Sequence, residues 1–279
     1  MPSYPRHEST SQGIEPDEIK VLITGFGPFR DQYPRNPSSL IAHSLPSTIT
    51  LIHPPASPES SATPFAAPKL TTIRLIPYPK QIHVSFKTVR SLIPAIYSSP
   101  SFPDHDPLYA QCSYIVHIGM AVTTGEYTVE RQGHRDGYYI RRETGNETED
   151  VDRKTLRECE EEIGLAEGEY WRECPEILQT TLDVNDILER MHQPGPNNTS
   201  QLPEGITVEA SDDAGNFLCD FIYYSSLAHF WRNGGEGGKR PVVFLHVPPE
   251  SDEETLQRGR EVTKALIGAI VASERSRNI

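Results

Sequence analysis

The chain is short of the residues that would tie it to oxidising compartments, metals or membranes. Its 279 residues include four cysteines, Cys112, Cys159, Cys174 and Cys219. They form no CxxC pair and show no Cys/His spacing of the kind that holds zinc. Free thiols in a reducing, cytoplasmic setting are therefore expected, with no zinc site. The N-terminus lacks the apolar segment of a leader peptide, and no apolar run approaches the roughly 20 residues that cross a bilayer. No membrane partner is expected. Positive charge is also scarce: 26 Lys and Arg stand against 39 Asp and Glu, for a net charge of −13. A binder of nucleic acid needs basic patches to meet a polyanion, so that class is excluded. The deficit is concentrated. Between Glu143 and Glu176 there are 13 acidic and 4 basic residues, so one stretch carries −9 of the −13. It reads as a solvated surface segment, and a surface of that kind opposes self-association, so a monomer is expected.

Proline, at 25 residues, is plentiful and breaks the chain into well-separated elements. Residues 1–18 read as a disordered tail. Lys20 to Thr24 is a short apolar run of the buried-strand type, followed by a turn at Gly25-Phe26-Gly27-Pro28-Phe29. That turn begins like a dinucleotide fingerprint, but Arg30 replaces the third glycine and Pro28 interrupts it, so the match is weak. Asn36-Pro37 predicts a helix start, with the helix running to about Leu45. A strand at 72–76, an amphipathic helix over about 79–97 and a long apolar strand at 113–119 follow. Leu156 and Ile163 suggest one helix near 153–163. A strand ending near Ala210, a helix after Cys219, a strand at 241–246 and a helix over about 252–273 complete the pattern. Strands alternating with helices predict the α/β class. The expected architecture is a single-domain three-layer α/β/α sandwich over 19–279, with a central, mostly parallel or mixed sheet. Surface insertions are expected near 52–69 and 143–203.

Sites in open α/β sheets lie at the carboxyl ends of strands. Cys219 stands there at the entry to a helix, where unpaired N–H groups and the positive end of the dipole favour a thiolate. A small buried Cys packing as a hydrophobe is the alternative. His246 closes the strand at 241–246, and Glu130 follows the strand at 113–119. A structural His and a surface Glu are the plain alternatives for each. Together the three have the composition of a nucleophilic site: thiolate, proton shuttle and a carboxylate that orients the imidazole. Phe26 and Phe29, directly after a strand, are either core packing or walls of an apolar pocket.

Four stretches carry a resemblance. Leu22-Ile23-Thr24-Gly25-Phe26-Gly27-Pro28-Phe29 with Asn36-Pro37, Ile118 to Ala121 leading to Val129-Glu130-Arg131, Asp213 to Tyr224 around Cys219, and Phe244-Leu245-His246-Val247-Pro248-Pro249 occur in the order seen in the pyroglutamyl-peptidase I family, and the chain resembles that family from Lys20 onward. The resemblance implies a cysteine omega-peptidase that removes N-terminal pyroglutamate from peptides, with no metal and no organic cofactor. By carry-over, Cys219 is the nucleophile, His246 the base and acid, and Glu130 the third member. Phe26, Phe29 and Phe217 would then hold the lactam ring, and backbone N–H groups near Cys219 the oxyanion. The chain departs from the family after Glu130, where neither Arg141 nor Arg142 aligns with the family's arginine and that role is left unassigned, and in Met120. A related cysteine hydrolase of altered specificity and a non-catalytic binder of peptides or partners are the competing readings.

Overall fold

In a computed structural model of the chain, residues 18–29, 31–53, 69–97, 107–121, 125–138, 173–193 and 202–277 are described. The expected tail, most of the loop at 52–69, the helix near 153–163, Arg141 and Arg142 lie outside these residues. Seven strands form one sheet in the order β2-β3-β1-β4-β9-β5-β8. They are β1 (Ile19–Gly25), β2 (Thr48–His53), β3 (Lys69–Pro77), β4 (Tyr114–Met120), β5 (Tyr127–Glu130), β8 (Val208–Ser211) and β9 (Val242–Val247). A short pair, β6 (Gln132–His134) and β7 (Ile177–Gln179), stands apart. The helices are α1 (Pro37–Ser44), α2 (Phe86–Tyr97), α3 (Val184–His192), α4 (Leu218–Gly234) and α5 (Glu253–Arg277).

The middle of the sheet is parallel, from β3 through β1 and β4 to β9. Two pairings are antiparallel, β2 on β3 and β5 on β9. The sheet is thus mixed. Helices cover both faces, as continuous apolar strands require. Successive side chains of a strand point to opposite faces, and here the two faces differ in chemistry. Val21, Ile23, Val116, Ile118, Val129, Val243 and Leu245 pack with α1, α3 and α5. Leu22, Ile115, Val242 and Phe244 pack with α2 and α4. The polar side chains of the central strands, Thr24, His117, Thr128, Glu130 and His246, fall on this second face by the same alternation.

One of them is structural. His117 is fully buried, and burial holds its imidazole down at about 3, hence neutral. It bridges Thr24 Oγ1 at 2.7 Å and Ser226 Oγ at 2.8 Å, pinning α4 to the sheet. Helix α4 is apolar on most sides, with Phe221, Ile222, Tyr223, Tyr224 and Leu227 buried. That suits a helix enclosed by α2, the sheet and the β6–β7 pair.

Two expectations are revised. The helix expected over 79–97 begins only at Phe86, because the backbone before it is engaged elsewhere: the Ile82 N–H donates to Gly25 C=O and the Gly27 N–H to Ile82 C=O. The stretch 143–203, expected as a surface insertion, contains β7 and α3 in its described part. Helix α3 is capped by Asp183, and its Val184, Ile187 and Met191 join the core. The antiparallel run of β5, which follows β4 in sequence, against its neighbour β9 agrees with the mixed sheet expected.

The turn after β1 is built by side chains. Asn36 caps α1, its Oδ1 accepting from the Ser38 N–H (3.1 Å) and Oγ (2.7 Å), while its Nδ2 donates to Gly27 C=O at 2.9 Å. Ser38 Oγ in turn accepts from the Phe26 N–H at 3.0 Å. Asn36→Ala removes a cap and leaves a buried carbonyl unpaired, so urea unfolding should show a loss of about 2 kcal/mol. A loss under about 0.5 kcal/mol, the ordinary range for a surface change, would show that the turn holds without it.

Candidate active site

Glu130 and His246 meet across the antiparallel β5–β9 pair. Thr128 stands opposite His246 and Glu130 opposite Phe244, so all four side chains share one face of the sheet. Glu130 lies one pair deeper than His246 and reaches back to it, Oε1 to Nδ1 at 2.8 Å. Thr128 Oγ1 donates to the same oxygen at 3.1 Å, and the Tyr223 hydroxyl donates to the Glu130 carbonyl at 2.9 Å. The Glu130 side chain is 1 % exposed. The other carboxylate oxygen, Oε2, is buried without a hydrogen-bond partner among the described residues.

Cys219 comes from above, in the first turn of α4. Ser211, at the end of β8, leads into a loop held by Arg131, whose Nε and Nη2 each donate to Asp212 at 2.7 Å. Gly215 donates its amide to Asp213 Oδ1, and Phe217 then takes the N-cap position in an extended conformation. Its side chain makes no cap, so the N–H groups at the start of α4 are left to whatever anion sits there. The first bond of the helix runs from the Phe221 N–H to Phe217 C=O.

The imidazole of His246 joins the two sides. Burial alone would push it down, but the charge and hydrogen bond of Cys219 and the hydrogen bond and charge of Glu130 outweigh burial and hold it up, at about 10. The arrangement places the His246 imidazole between the Cys219 sulfur and the Glu130 carboxyl group. Room for it depends on Gly119, which pairs with His246 in the register of β4 and β9. A Cβ there would stand 2.4 Å from the Phe244 ring and 2.9 Å from Cys219 Sγ. Any other residue at 119 displaces the sulfur or the ring.

These groups open into a cavity of about 490 Å³. Phe26, Phe29, Met120 and Phe217 line its apolar side, and Glu130, Cys219 and His246 its reactive side. Of the two readings of Phe26 and Phe29, core packing or pocket wall, both apply to Phe26 and the second to Phe29. Phe26 is 4 % exposed and packs in the core while lining the cavity, and Phe29 is half-buried. Phe29 and Phe217 contact each other at 5.7 Å between ring centroids, and Phe86 of α2 backs Phe217 at 5.6 Å.

All six residues singled out from sequence therefore converge on one cavity. The reason differs from the expected one. Because β5 is antiparallel to β9, Glu130 does not sit at the carboxyl edge shared by β1, β4 and β9. It is recessed in the sheet face beneath α4, which is why it is buried. Thr128, Tyr223 and Gly119 were not anticipated as parts of the site, and Asn36 was anticipated only as a helix start. Thr128 had a readable signal, since a residue two before Glu130 in a strand shares its face. Among the described residues no group of three or more His, Cys, Asp or Glu could hold a metal ion, and no helix is long and apolar enough to cross a membrane.

No family model matches the chain. Pyroglutamyl-peptidase 1 of Rattus norvegicus is 28% identical over 202 residues, which cover 70% of this chain and 74% of that protein. The pyrrolidone carboxyl peptidase of Thermococcus litoralis has a similar structure, with a TM-score of 0.57 at 18% identity over 93% of this chain and 96% of that one. The pyroglutamyl peptidase I of Bacillus amyloliquefaciens superposes with a TM-score of 0.53 at 23% identity, over 92% and 95% of the two chains. The structural likeness establishes the three-layer α/β fold.

The His246 imidazole is raised in the folded chain. The stability its protonated form contributes is therefore complete below the ordinary value of 6.5 and is lost as pH rises through about 10. Glu130→Gln keeps the shape and removes one of the two supporting charges, so the imidazole titration followed by NMR should move down. An unmoved midpoint would mean that Glu130 does not support the imidazolium.

Proposed function

We propose that this chain, whose resemblance to the pyroglutamyl-peptidase I family rests on a relative and on fold as well as on motifs, is a cysteine peptidase that removes an N-terminal pyroglutamate from peptides. The observation that carries the reading is a single one: His246 is bonded to Glu130 at 2.8 Å and to Cys219, on the wall of a phenylalanine-lined cavity.

The lactam ring of pyroglutamate is flat and carries no charge, so an aromatic pocket suits it better than an ion pair would. Phe26, Phe29 and Phe217 supply such faces. With the ring seated, the thiolate of Cys219 attacks the carbonyl carbon, and the carbonyl oxygen becomes an oxyanion. The uncapped N–H groups at the start of α4 are suited to receive that charge. Collapse of the tetrahedral intermediate breaks the C–N bond, and the imidazolium of His246 delivers its proton to the departing amine. A thioester between Cys219 and the pyroglutamyl group remains. His246, now neutral, takes a proton from water, whose oxygen attacks the thioester. Free 5-oxoproline leaves, and the thiolate–imidazolium pair is restored. Glu130 holds Nδ1 throughout, so that Nε2 is the nitrogen that exchanges the proton. The reaction balances with these side chains and one water. Peptides with a blocked N-terminus are the partners this reading names, and the cytoplasm its place.

The test is release of a fluorogenic amine from a pyroglutamyl amide by reduced protein. Wild type should be active, and Cys219→Ser should lose at least about a thousandfold in kcat, as removal of a nucleophile does. Phe29→Ala should raise KM more than it lowers kcat, because it removes a pocket wall. Folded wild-type protein that cleaves other acyl amides but not the pyroglutamyl one would turn the reading toward a cysteine hydrolase of different specificity. No cleavage of either, with Cys219 unreactive to alkylation, would turn it toward a binding protein.

A further inference from the structure

The residue after the nucleophile is a buried acid that the reaction does not use. Asp220 is 1 % exposed in the first turn of α4. A carboxyl group there is expensive: burial pushes it up to about 7, and its contacts with His134 and Tyr138 pull it back only in part. What it holds is a backbone amide. On either side of β6 the flanking odd-numbered residues bond across to the β7 side: the Arg135 N–H donates to Glu176 C=O at 2.8 Å, and Arg131 C=O accepts from the Thr180 N–H at 3.0 Å. His134, one residue out of phase, turns its amide the other way, and both oxygens of Asp220 accept it, at 3.1 Å each. The His134 ring Nδ1 lies 3.4 Å from Oδ2.

The approach is close. Gly133, beside this amide, has no side chain, and a Cβ there would stand 2.9 Å from the Tyr224 backbone nitrogen of α4. Strand β6 is therefore pressed against the α4 backbone itself. It is also the direct continuation of β5, with Glu130 only three residues before Gly133. On the far side, the Tyr138 hydroxyl donates to His134 C=O, and its ring packs edge-on against Phe86, which backs the pocket residue Phe217.

We infer that Asp220 is a positioning residue of this site: through the His134 amide it fixes the first turn of α4, and with it Cys219, against the strand that carries Glu130. The helix start needs such a tie because Phe217 gives it no cap. Tyr223 makes the second tie, to the Glu130 carbonyl, one helical turn further on. A shift of the first turn would separate the sulfur from the imidazole while leaving the cavity in place. The inference rests on Cys219 being the nucleophile of the proposed peptidase.

The test compares Asp220→Ala and Asp220→Asn with wild type in three measurements. On a pyroglutamyl amide, Asp220→Ala should lower kcat about 10- to 100-fold, the scale of a displaced reacting group, with KM within about twofold. Alkylation of Cys219 by iodoacetamide at pH 6 should slow about tenfold, since the thiolate loses its imidazolium. Asn keeps an oxygen that accepts the amide, so Asp220→Asn should recover most of both losses. In wild-type protein the His134 amide should be strongly protected from hydrogen exchange. This last measurement needs no variant and stands even if Asp220→Ala does not fold. An unprotected His134 amide would overturn the inference. So would a folded Asp220→Ala with wild-type kcat and alkylation, or an Asp220→Asn as impaired as Asp220→Ala. Alkylation and exchange do not depend on the substrate. Wild type inert toward the amide, with both readouts as expected, would sink the peptidase reading and leave the positioning role standing.

Discussion

The constraint on which the site depends is the two-residue period of the central strands. It sorts the sheet into an aliphatic face under α1, α3 and α5 and a second face, under α2 and α4, that receives the polar side chains of those strands. On that second face His117 fastens α4, and Glu130 and His246 wait beneath its first turn. A slip of one residue in β5 would put Glu130 among the valines, and one in β9 would do the same to His246. Register, more than any single contact, is what makes Cys219, His246 and Glu130 neighbours.

Burying Glu130 is costly in isolation, and the surroundings offset that cost in a particular way. Its Oε1 takes hydrogen bonds from Thr128 and His246, and its backbone carbonyl takes one from Tyr223. The bond to His246 is charge-assisted and stronger than a neutral one. In the low-dielectric face of a sheet such a bond orients as well as stabilises. The imidazole has little freedom to rotate away from the sulfur, because Nδ1 is held and the Phe244 ring packs against it at 4.8 Å. Preorganisation of this kind removes reorganisation from the chemical step.

Much of this was legible in the sequence, for physical reasons that name their own limits. β1, β4 and β9 announce themselves because strands buried on both faces read as unbroken apolar runs. Cys219, His246 and Glu130 each have a plain structural reading, and they could be singled out only because the three together have the composition of a nucleophilic site. Asn36-Pro37 was readable as a helix start because capping is local chemistry. What escaped was mostly non-local. The short strands β5, β6 and β7 have too few residues for a pattern to stand out, and the antiparallel turn of β5 is decided by its neighbours; the edge strand β2, as long as β9, alternates Ile49, Leu51 with polar residues and was simply missed. Helix α3 was hidden by the acidic stretch before it, although Asp183, Val184, Ile187 and Met191 carry the signal of a capped amphipathic helix. Asp220 was unreadable as anything but a surface acid, because its partner is a backbone amide 86 residues away.

The uncapped start of α4 has a consequence for how this protein can change. A helix gains about 1 kcal/mol from a serine, threonine or aspartate at the N-cap, and Phe217 forgoes it in exchange for a ring in the cavity wall. A hydroxyl at 217 would also compete for the N–H groups that an anion needs. Selection for a more durable fold and selection for turnover thus pull in opposite directions at one codon, and a screen for thermostable variants would find its easiest gain where it does the most harm.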